Sequence, residues 1–498
     1  MKKIFFAINF LFSLYNLEMI NLKRLFFNKK KSFKTQDAPL LTAMKKYKKC
    51  PMTGFHIPGH NRGASISDDF KALVGSEILT IDTTDEFDNL GTLHPASGAI
   101  KEAMDLAARD FGAKRTFFLT GGSTIGNLAL ALGATKPNEK ILIGRNCHRS
   151  VLTGMVITGG EPSWLIPKKL DDWAIFGAVQ VADVEKKLKE DKHISLVWIT
   201  NPTYEGVISD VAGISKVCKK YGVPLIVDEA HGSLWNFNDR LPKSSLELGA
   251  DAVIHSLHKT GGSMVQTSML HISKNSILDV EKIERALTMI HTTSPSMALL
   301  ASLDNARATL VSLEGQKMID DAIDNALYFR EKAKRIKNVE VLSRKDDAQV
   351  DPTKIFIKVK GLSGIKLEKI LEKDYLIEIE SASDEGLLVL SNIGGKRGEF
   401  DYLLSCLKKI ASKEWANDEI GEVEKFTPLV DPKIIMSPRV AFFCKKEVVD
   451  KKEAIGRICS EIIALCPPGI SVLLPGELIR EEHMPYLTKF KSIEVVKN

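Results

Sequence analysis

No two cysteines of this chain form a CxxC pair, and the seven present (Cys50, Cys147, Cys218, Cys406, Cys444, Cys459, Cys466) are odd in number. That is neither a disulfide framework nor a zinc ligand set, so no metal is expected; it predicts reduced, mostly buried thiols in a cytoplasmic setting. Charge of one sign is also scarce. The net charge is +6 and the basic residues are spread along the chain, whereas a nucleic-acid binder concentrates them on one element. Low-complexity stretches, Pro/Gly-rich stretches and internal repeats are missing, which excludes fibrous, linker-like and solenoid architectures. One apolar run, Ile4 to Ile20, follows Met1-Lys2-Lys3. It is interrupted by Asn9, Asn16 and Glu18, has no small-x-small cleavage site after it and is short for a span. Residues 1–38 therefore read as an extension, disordered or preceding the true start, with Met19 and Met44 as alternative starts; a signal or membrane anchor is the lesser alternative.

What remains is a globular composition, 44% hydrophobic and 27% charged over 498 residues, too long for one ordinary core. From Thr116 onward short apolar runs alternate with helical patterns. Strands are expected at Thr116–Thr120, Ile141–Gly144, Ser195–Thr200, Pro224–Asp228 and Ala252–Leu257. Helices are expected at Ile125–Leu132, from Arg149, at Val211–Tyr221 and, briefly, at Leu246–Gly249. This alternation predicts an α/β unit with a mostly parallel central sheet covered on both faces. After Thr309 the pattern becomes βαββα: a helix at Asp320–Ile336, a strand at Lys354–Lys360, a helix at Ile365–Lys373, strands at Leu376–Ser381 and Leu387–Leu390, and a helix at Glu399–Ile410. We divide the chain into residues 39–312 (an arm and the large domain), 313–411 (a smaller α+β domain) and 412–498 (an acidic connector, Glu414–Asp431, and a closing segment).

Ligands of such folds gather where loops leave the carboxyl ends of strands, and four of these ends carry reactive residues. Thr120-Gly121-Gly122-Ser123-Thr124 lies between a strand and a helix, where glycine backbone, hydroxyls and a helix N-terminus suit an anion; a capping turn reads the same way. Cys147-His148-Arg149 offers a flat imidazole that can stack on an aromatic cofactor, or be an ordinary histidine. Asp228, in VDEAHG, is a carboxylate at a buried strand end that needs a positive partner. A protonated pyridine nitrogen is one, and a ring so protonated acts as an electron sink; an N-cap aspartate is the alternative. Lys259, in SLHKTGG, ends an apolar strand, where desolvation lowers its pKa and makes it a nucleophile suited to a Schiff base. Asp228 and Lys259 are separated by about one βαβ step of roughly 30 residues, which puts them on neighbouring strand ends facing one ligand.

With these residues in place, the chain resembles the ornithine/lysine/arginine decarboxylases of the pyridoxal-phosphate (PLP) fold type I, and within them the short arginine decarboxylase form of Gram-positive bacteria. The resemblance runs from about Pro39 to near the C-terminus through FHIPGH (Phe55–His60), DFGAKRTFFLTGGST (Asp110–Thr124), RNCHRS (Arg145–Ser150), VDEAHG (Val227–Gly232), SLHKTGGSMVQTSMLH (Ser256–His271), TTSPS (Thr292–Ser296) and PPGISVLLPGE (Pro467–Glu477). It implies that Lys259 carries the cofactor, Asp228 pairs with the ring nitrogen and His148 stacks on the ring. It implies that Gly122, Ser123, Thr124 and Ser256 hold the phosphate, with His258 beside the attachment point and His231 near the ring. It further implies a homodimer or larger homo-oligomer with the site at the interface, Thr293 and Ser294 in reach of the other subunit's phosphate, and Glu477 approaching the site. The implied reaction is decarboxylation of a basic amino acid, arginine before lysine or ornithine, in polyamine synthesis. Another PLP reaction, such as transamination or elimination, and a non-catalytic PLP-binding relative are the alternatives. The chain departs from the family pattern at Asn61, Gly121, Trp235, Met297, Cys466 and Ser471; of these, Trp235 and Met297 bear on the substrate. Two other features lead nowhere: Pro58-Gly59 bars His56 and His60 from one helix face, and Gly394–Gly398 reads as a turn before a helix.

Overall fold

The computed structural model describes residues 37–497, except 51–52, 86, 88–89, 344–347, 414, 416–431 and 466–468. The expectations for residues 1–36, for nearly all of the acidic connector and for Cys466 fall outside the described residues.

The large unit is built on a seven-stranded sheet. Its strands are β1 (Arg115–Leu119), β2 (Lys140–Gly144), β3 (Glu161–Leu165), β4 (Ile194–Thr200), β5 (Leu225–Asp228), β6 (Ala252–His255) and β7 (Ser268–Ile272), in the order β1-β7-β6-β5-β4-β2-β3. From β6 to β3 the pairs are parallel; β7 runs antiparallel to both β6 and β1. Central strands such as Ile194–Thr200 are buried on both faces, as helix-covered parallel strands must be. Helices α1 (Gly122–Ala134), α2 (Arg149–Thr158) and α3 (Val211–Tyr221) cover the sheet. The last begins on Asp210, whose side chain accepts from the Gly213 N–H, and stops at Gly222 in the left-handed conformation. Both caps are local in sequence.

Two sequence expectations fail here. Leu246–Gly249 forms turns, not a helix. The run Ala252–Leu257 is strand only to His255; the chain then tightens into a one-turn helix, α4 (Leu257–Thr260). Lys259 thus sits on a helical turn just beyond a strand, because the Lys259 N–H donates to the Ser256 carbonyl and Gly261 N–H to that of Leu257.

Helix α5 (Leu313–Ala333) leads into an antiparallel sheet made of β8 (Val339–Val341), β9 (Lys354–Val359), β10 (Ser381–Ala382) and β11 (Leu387–Leu390), in the order β8-β9-β11-β10. Helices α6 (Gly364–Tyr375) and α7 (Arg397–Ala411) pack on it through Leu367, Leu371, Leu403 and Leu407. The strand expected over Leu376–Ser381 shrinks to Ser381–Ala382; Leu376 adopts the left-handed conformation that ends α6. The closing segment contributes the paired strands β12 (Lys446–Asp450) and β15 (Ser492–Val496), and β13 (Ile463–Leu465) and β14 (Ile470–Leu473).

The closing segment is fastened to the sheet by a charge. Arg145, just past β2 and without exposed surface, donates to the carbonyls of Ser471 (2.7 Å) and Val472 (2.6 Å) and lies 3.5 Å from Glu477. Glu477 is itself buried beside His483, so it is a buried counter-charge and does not approach the cleft described below. No helix among the described residues is long and apolar enough to cross a membrane.

Candidate functional site

The carboxyl ends of β1, β2, β4, β5 and β6 open into one cavity of about 450 Å³. Gly121, Gly122, Ser123, Thr124, His148, Asp228, His231, Ser256, His258 and Lys259 all line it. Ser294 is exposed and does not line the cleft of its own chain.

At one end lies a cluster of hydroxyls. Ser123 Oγ is 2.6 Å from Ser256 Oγ and donates to Ser268 Oγ at 3.1 Å. Gly122 reaches this corner with φ +69°, a conformation costly for any other residue, and its N–H donates to the Gln266 carbonyl. Ser123 and Thr124 stand in the first turn of α1, where backbone N–H groups have no partner within the helix. Hydroxyls and a helix N-terminus without a nearby carboxylate suit a phosphate.

On the floor, Asp228 is almost wholly buried. Its hydrogen bonds come from neutral donors, the Asn127 amide (3.1 Å to Oδ2) and the Ala230 N–H (3.2 Å to Oδ1). Such a carboxylate has capacity for a cation. Asn127 also donates to Ser150 Oγ at 2.8 Å, and Ser150 Oγ lies 2.7 Å from His148 Nδ1. His148 caps α2: its Nδ1 accepts from the Ser150 N–H. With Nδ1 an acceptor, the ring proton of neutral His148 belongs on Nε2. Burial holds its pKa low despite Asp228.

Lys259 is half-buried as a residue, and its amine is desolvated. Burial lowers its pKa, and Asp228 and Glu380 offset only part of that. His231 Nε2 lies 3.0 Å from Lys259 Nζ. His258 Nδ1 donates to the Thr267 carbonyl at 2.6 Å, which leaves Nε2 as its exchangeable position; burial lowers its pKa too.

A wall outside the sequence motifs is made by Thr203, Tyr204 and Glu205 after β4 with Phe176, and Ile470 from the PPGISVLLPGE block completes it. The Glu205 carboxyl is pushed above its ordinary range by burial. Tyr204 donates its hydroxyl to Glu380 at 2.8 Å. Ile470 comes from the closing segment, which the Arg149 N–H joins through the Gly469 carbonyl at 3.0 Å. Trp235 and Met297 are both buried away from the cleft. Trp235 donates to Asp351 at 2.8 Å, and Met297 lies at the start of a helix in the core. Neither lines this cavity.

The site therefore meets the demands of pyridoxal phosphate one by one: hydroxyls and a helix start for a phosphate, a buried carboxylate for a ring cation, a flat imidazole and a desolvated amine. Comparison with known proteins identifies a family and its relatives. The Orn/Lys/Arg decarboxylase major-domain family matches residues 38–379, and the family's C-terminal domain matches residues 423–498. An arginine decarboxylase of Bacillus subtilis (strain 168) is 35% identical over 466 residues, covering 92% of this chain and 94% of that protein. One of Bacillus anthracis is 34% identical over 462 residues, 91% of this chain and 93% of that protein. Among solved structures, the Francisella novicida lysine decarboxylase LdcF superposes with a TM-score of 0.81 at 22% identity, over 92% of this chain and 81% of its own. The Escherichia coli constitutive lysine decarboxylase gives 0.80 at 21% identity, over 92% and 82%. At those identities the two structures speak to the fold.

Proposed function

The chain belongs to the Orn/Lys/Arg decarboxylase family, and from that footing we propose that its cleft holds pyridoxal phosphate and removes CO₂ from arginine, with lysine and ornithine as the next candidates. It is an amino-acid decarboxylase of PLP fold type I, acting on a basic amino acid. The observation that carries the cofactor reading is the presence in one cavity of a desolvated amine, Lys259, on the turn after β6, and a buried, neutrally bonded carboxylate, Asp228, at the end of the neighbouring β5.

Bound there, the cofactor supplies an aldehyde carbon for attachment to an amine and a ring that accepts the electron pair left when CO₂ departs. The protein's groups do the rest. Lys259, whose pKa burial lowers, is the amine that attaches. Asp228 holds the ring nitrogen protonated, and Asn127 aims that carboxylate. His148 packs on the ring, and Ser123, Thr124, Ser256 and the backbone at Gly122 hold the phosphate. His258 Nε2 is placed to hold the proton that Cα takes up. The distal cation of the substrate meets Glu205, whose carboxyl ionises more readily once a guanidinium neutralises it. No arginine lines the cleft among the described residues, so no permanent cation clamps the α-carboxylate that has to leave. This favours decarboxylation over transamination. The same reading makes the protein a homodimer in which exposed Thr293 and Ser294 serve the other subunit's site.

Purified protein should show a visible absorbance band that borohydride abolishes and Lys259→Ala lacks. Release of CO₂ from arginine, lysine and ornithine then ranks the substrates. A band with no CO₂ from any of the three would replace decarboxylation with another PLP reaction.

A further inference from the structure

Behind the cleft lies a second lysine, buried more deeply than the first. Lys354 opens β9 and has no exposed surface. Its Nζ is 2.8 Å from His231 Nδ1 and donates to the Tyr204 carbonyl at 2.9 Å. The other nitrogen of the same imidazole, Nε2, is the one 3.0 Å from Lys259 Nζ. Lys354 does not line the cavity; its path to the cleft is through His231. Room for it is built into the backbone: a Cβ on Gly206, at φ +99°, would sit 2.8 Å from the Lys354 side chain.

A count of protons constrains this line of three bases. Each N···N contact holds one hydrogen, and a neutral imidazole has one N–H and one lone pair. If Lys354 is an ammonium donating to Nδ1, then Nε2–H donates to Lys259, which must be a free amine to accept. If Lys259 is the ammonium, Nδ1–H donates to Lys354, which must be free. An imidazolium between them requires both amines to be free. A neutral amine can also donate an N–H, so the line carries at most one positive charge and never two.

We propose that Lys354 is the proton-holding partner of Lys259 and that His231 connects them, so that Lys259 stands as a free amine whenever it must bond the cofactor's aldehyde. Lys259 gives a proton to His231 Nε2 as His231 gives its Nδ1 proton to Lys354. Two N–H bonds break, two form, and the charge moves from the cleft to the interior. The identity of the aldehyde rests on the function proposed above; the shared charge does not.

Charged groups face both ends of this line. Lys259 faces Asp228 and Glu380, with His148, His231 and His258 about it. Lys354 faces Asp351, Glu380 and Glu205 as well as Lys259, and burial brings it down to about 7. His231 is held well below its ordinary value by burial and by both lysines. When Asp228 is committed to a ring cation, its support for a charge on Lys259 is withdrawn, and the proton belongs on Lys354.

The test follows attachment of pyridoxal phosphate to the cofactor-stripped full chain from pH 6.5 to 10, by borohydride trapping and mass spectrometric counting at Lys259. Wild type should attach readily at pH 7. Lys354→Met and His231→Phe should each be tenfold or more slower at pH 7 and converge with wild type as the pH approaches 10, since one unit of amine pKa is a tenfold change in free amine. Reductive methylation by formaldehyde needs no cofactor site and reports the same Lys259 profile. Loss of attachment with that profile intact would remove the cofactor reading alone. The shared charge is overturned if wild-type Lys259 methylates only near an ordinary lysine pKa, a result that needs no variant to fold. Variant profiles superimposable on wild type overturn it equally.

Discussion

The side-chain amide of Asn127 donates to Oδ2 of Asp228 across 3.1 Å, joining the second turn of α1 to the end of β5 inside the buried floor of the site. The same amide reaches Ser150 and, through it, His148, so the carboxylate and the stacking imidazole are oriented by one side chain. Asn127→Leu keeps the shape and removes the donor. Loss of one hydrogen bond to a buried charge costs about 1–3 kcal/mol, so the cofactor Kd from an absorbance titration should rise about tenfold or more. An unchanged Kd would mean that Asp228 needs no such support.

Glu205 should govern affinity for the distal cation. Glu205→Gln should raise KM for arginine by roughly ten- to a hundredfold, the scale of one charge-assisted bond, while kcat changes little. The carboxyl must ionise to meet the guanidinium, and burial has raised its pKa. Wild-type KM should therefore climb as pH falls, starting above the range of an ordinary glutamate, and the Gln variant should lack that climb. A Gln variant with the wild-type slope assigns the titration to another group.

Arg145 should matter for stability. Replacing it by Met abandons the carbonyls of Ser471 and Val472 and leaves Glu477 as a buried charge short of its partner. Breaking one side of a buried pair costs about 3–5 kcal/mol. Thermal unfolding should report that loss, and Arg145→Met/Glu477→Gln together should recover part of it. Additive losses would show that the two residues do not interact.

The thiols should divide by burial. Cys147 and Cys218 are pushed up to about 12 by burial, and Cys459 is raised as well. Cys50 and Cys444 are half-exposed. In native protein, iodoacetamide followed by peptide mapping should find Cys50 and Cys444 alkylated first. Early labelling of Cys147 would signal local opening beside the site.

The sequence exposes those parts of the site whose geometry is local. Sheet order alone places Asp228 and brings Lys259 to the same edge, although Lys259 stands on a helical turn past the strand, and Ser123 and Thr124 follow from a helix start. Asn127 was within reach of the same reasoning: four residues after Ser123 it shares a helix face with it. Lys354, Glu205 and Ile470 were not. They arrive from a second sheet, a loop and a closing segment, and no periodicity encodes which cleft those will adjoin. The errors at Leu246–Gly249 and Leu376–Ser381 have a related cause. Both are short apolar runs that suit a regular element, and tertiary contacts resolved them as turn and loop.

Ile470 forms part of the cavity wall, and the strand that bears it is held by Arg145 more than three hundred residues earlier. A chain lacking that strand would lack one wall of the chamber and leave the Arg145 guanidinium without its two carbonyls. Shaping of the cleft is thus shared between the sheet and a segment distant from it in sequence.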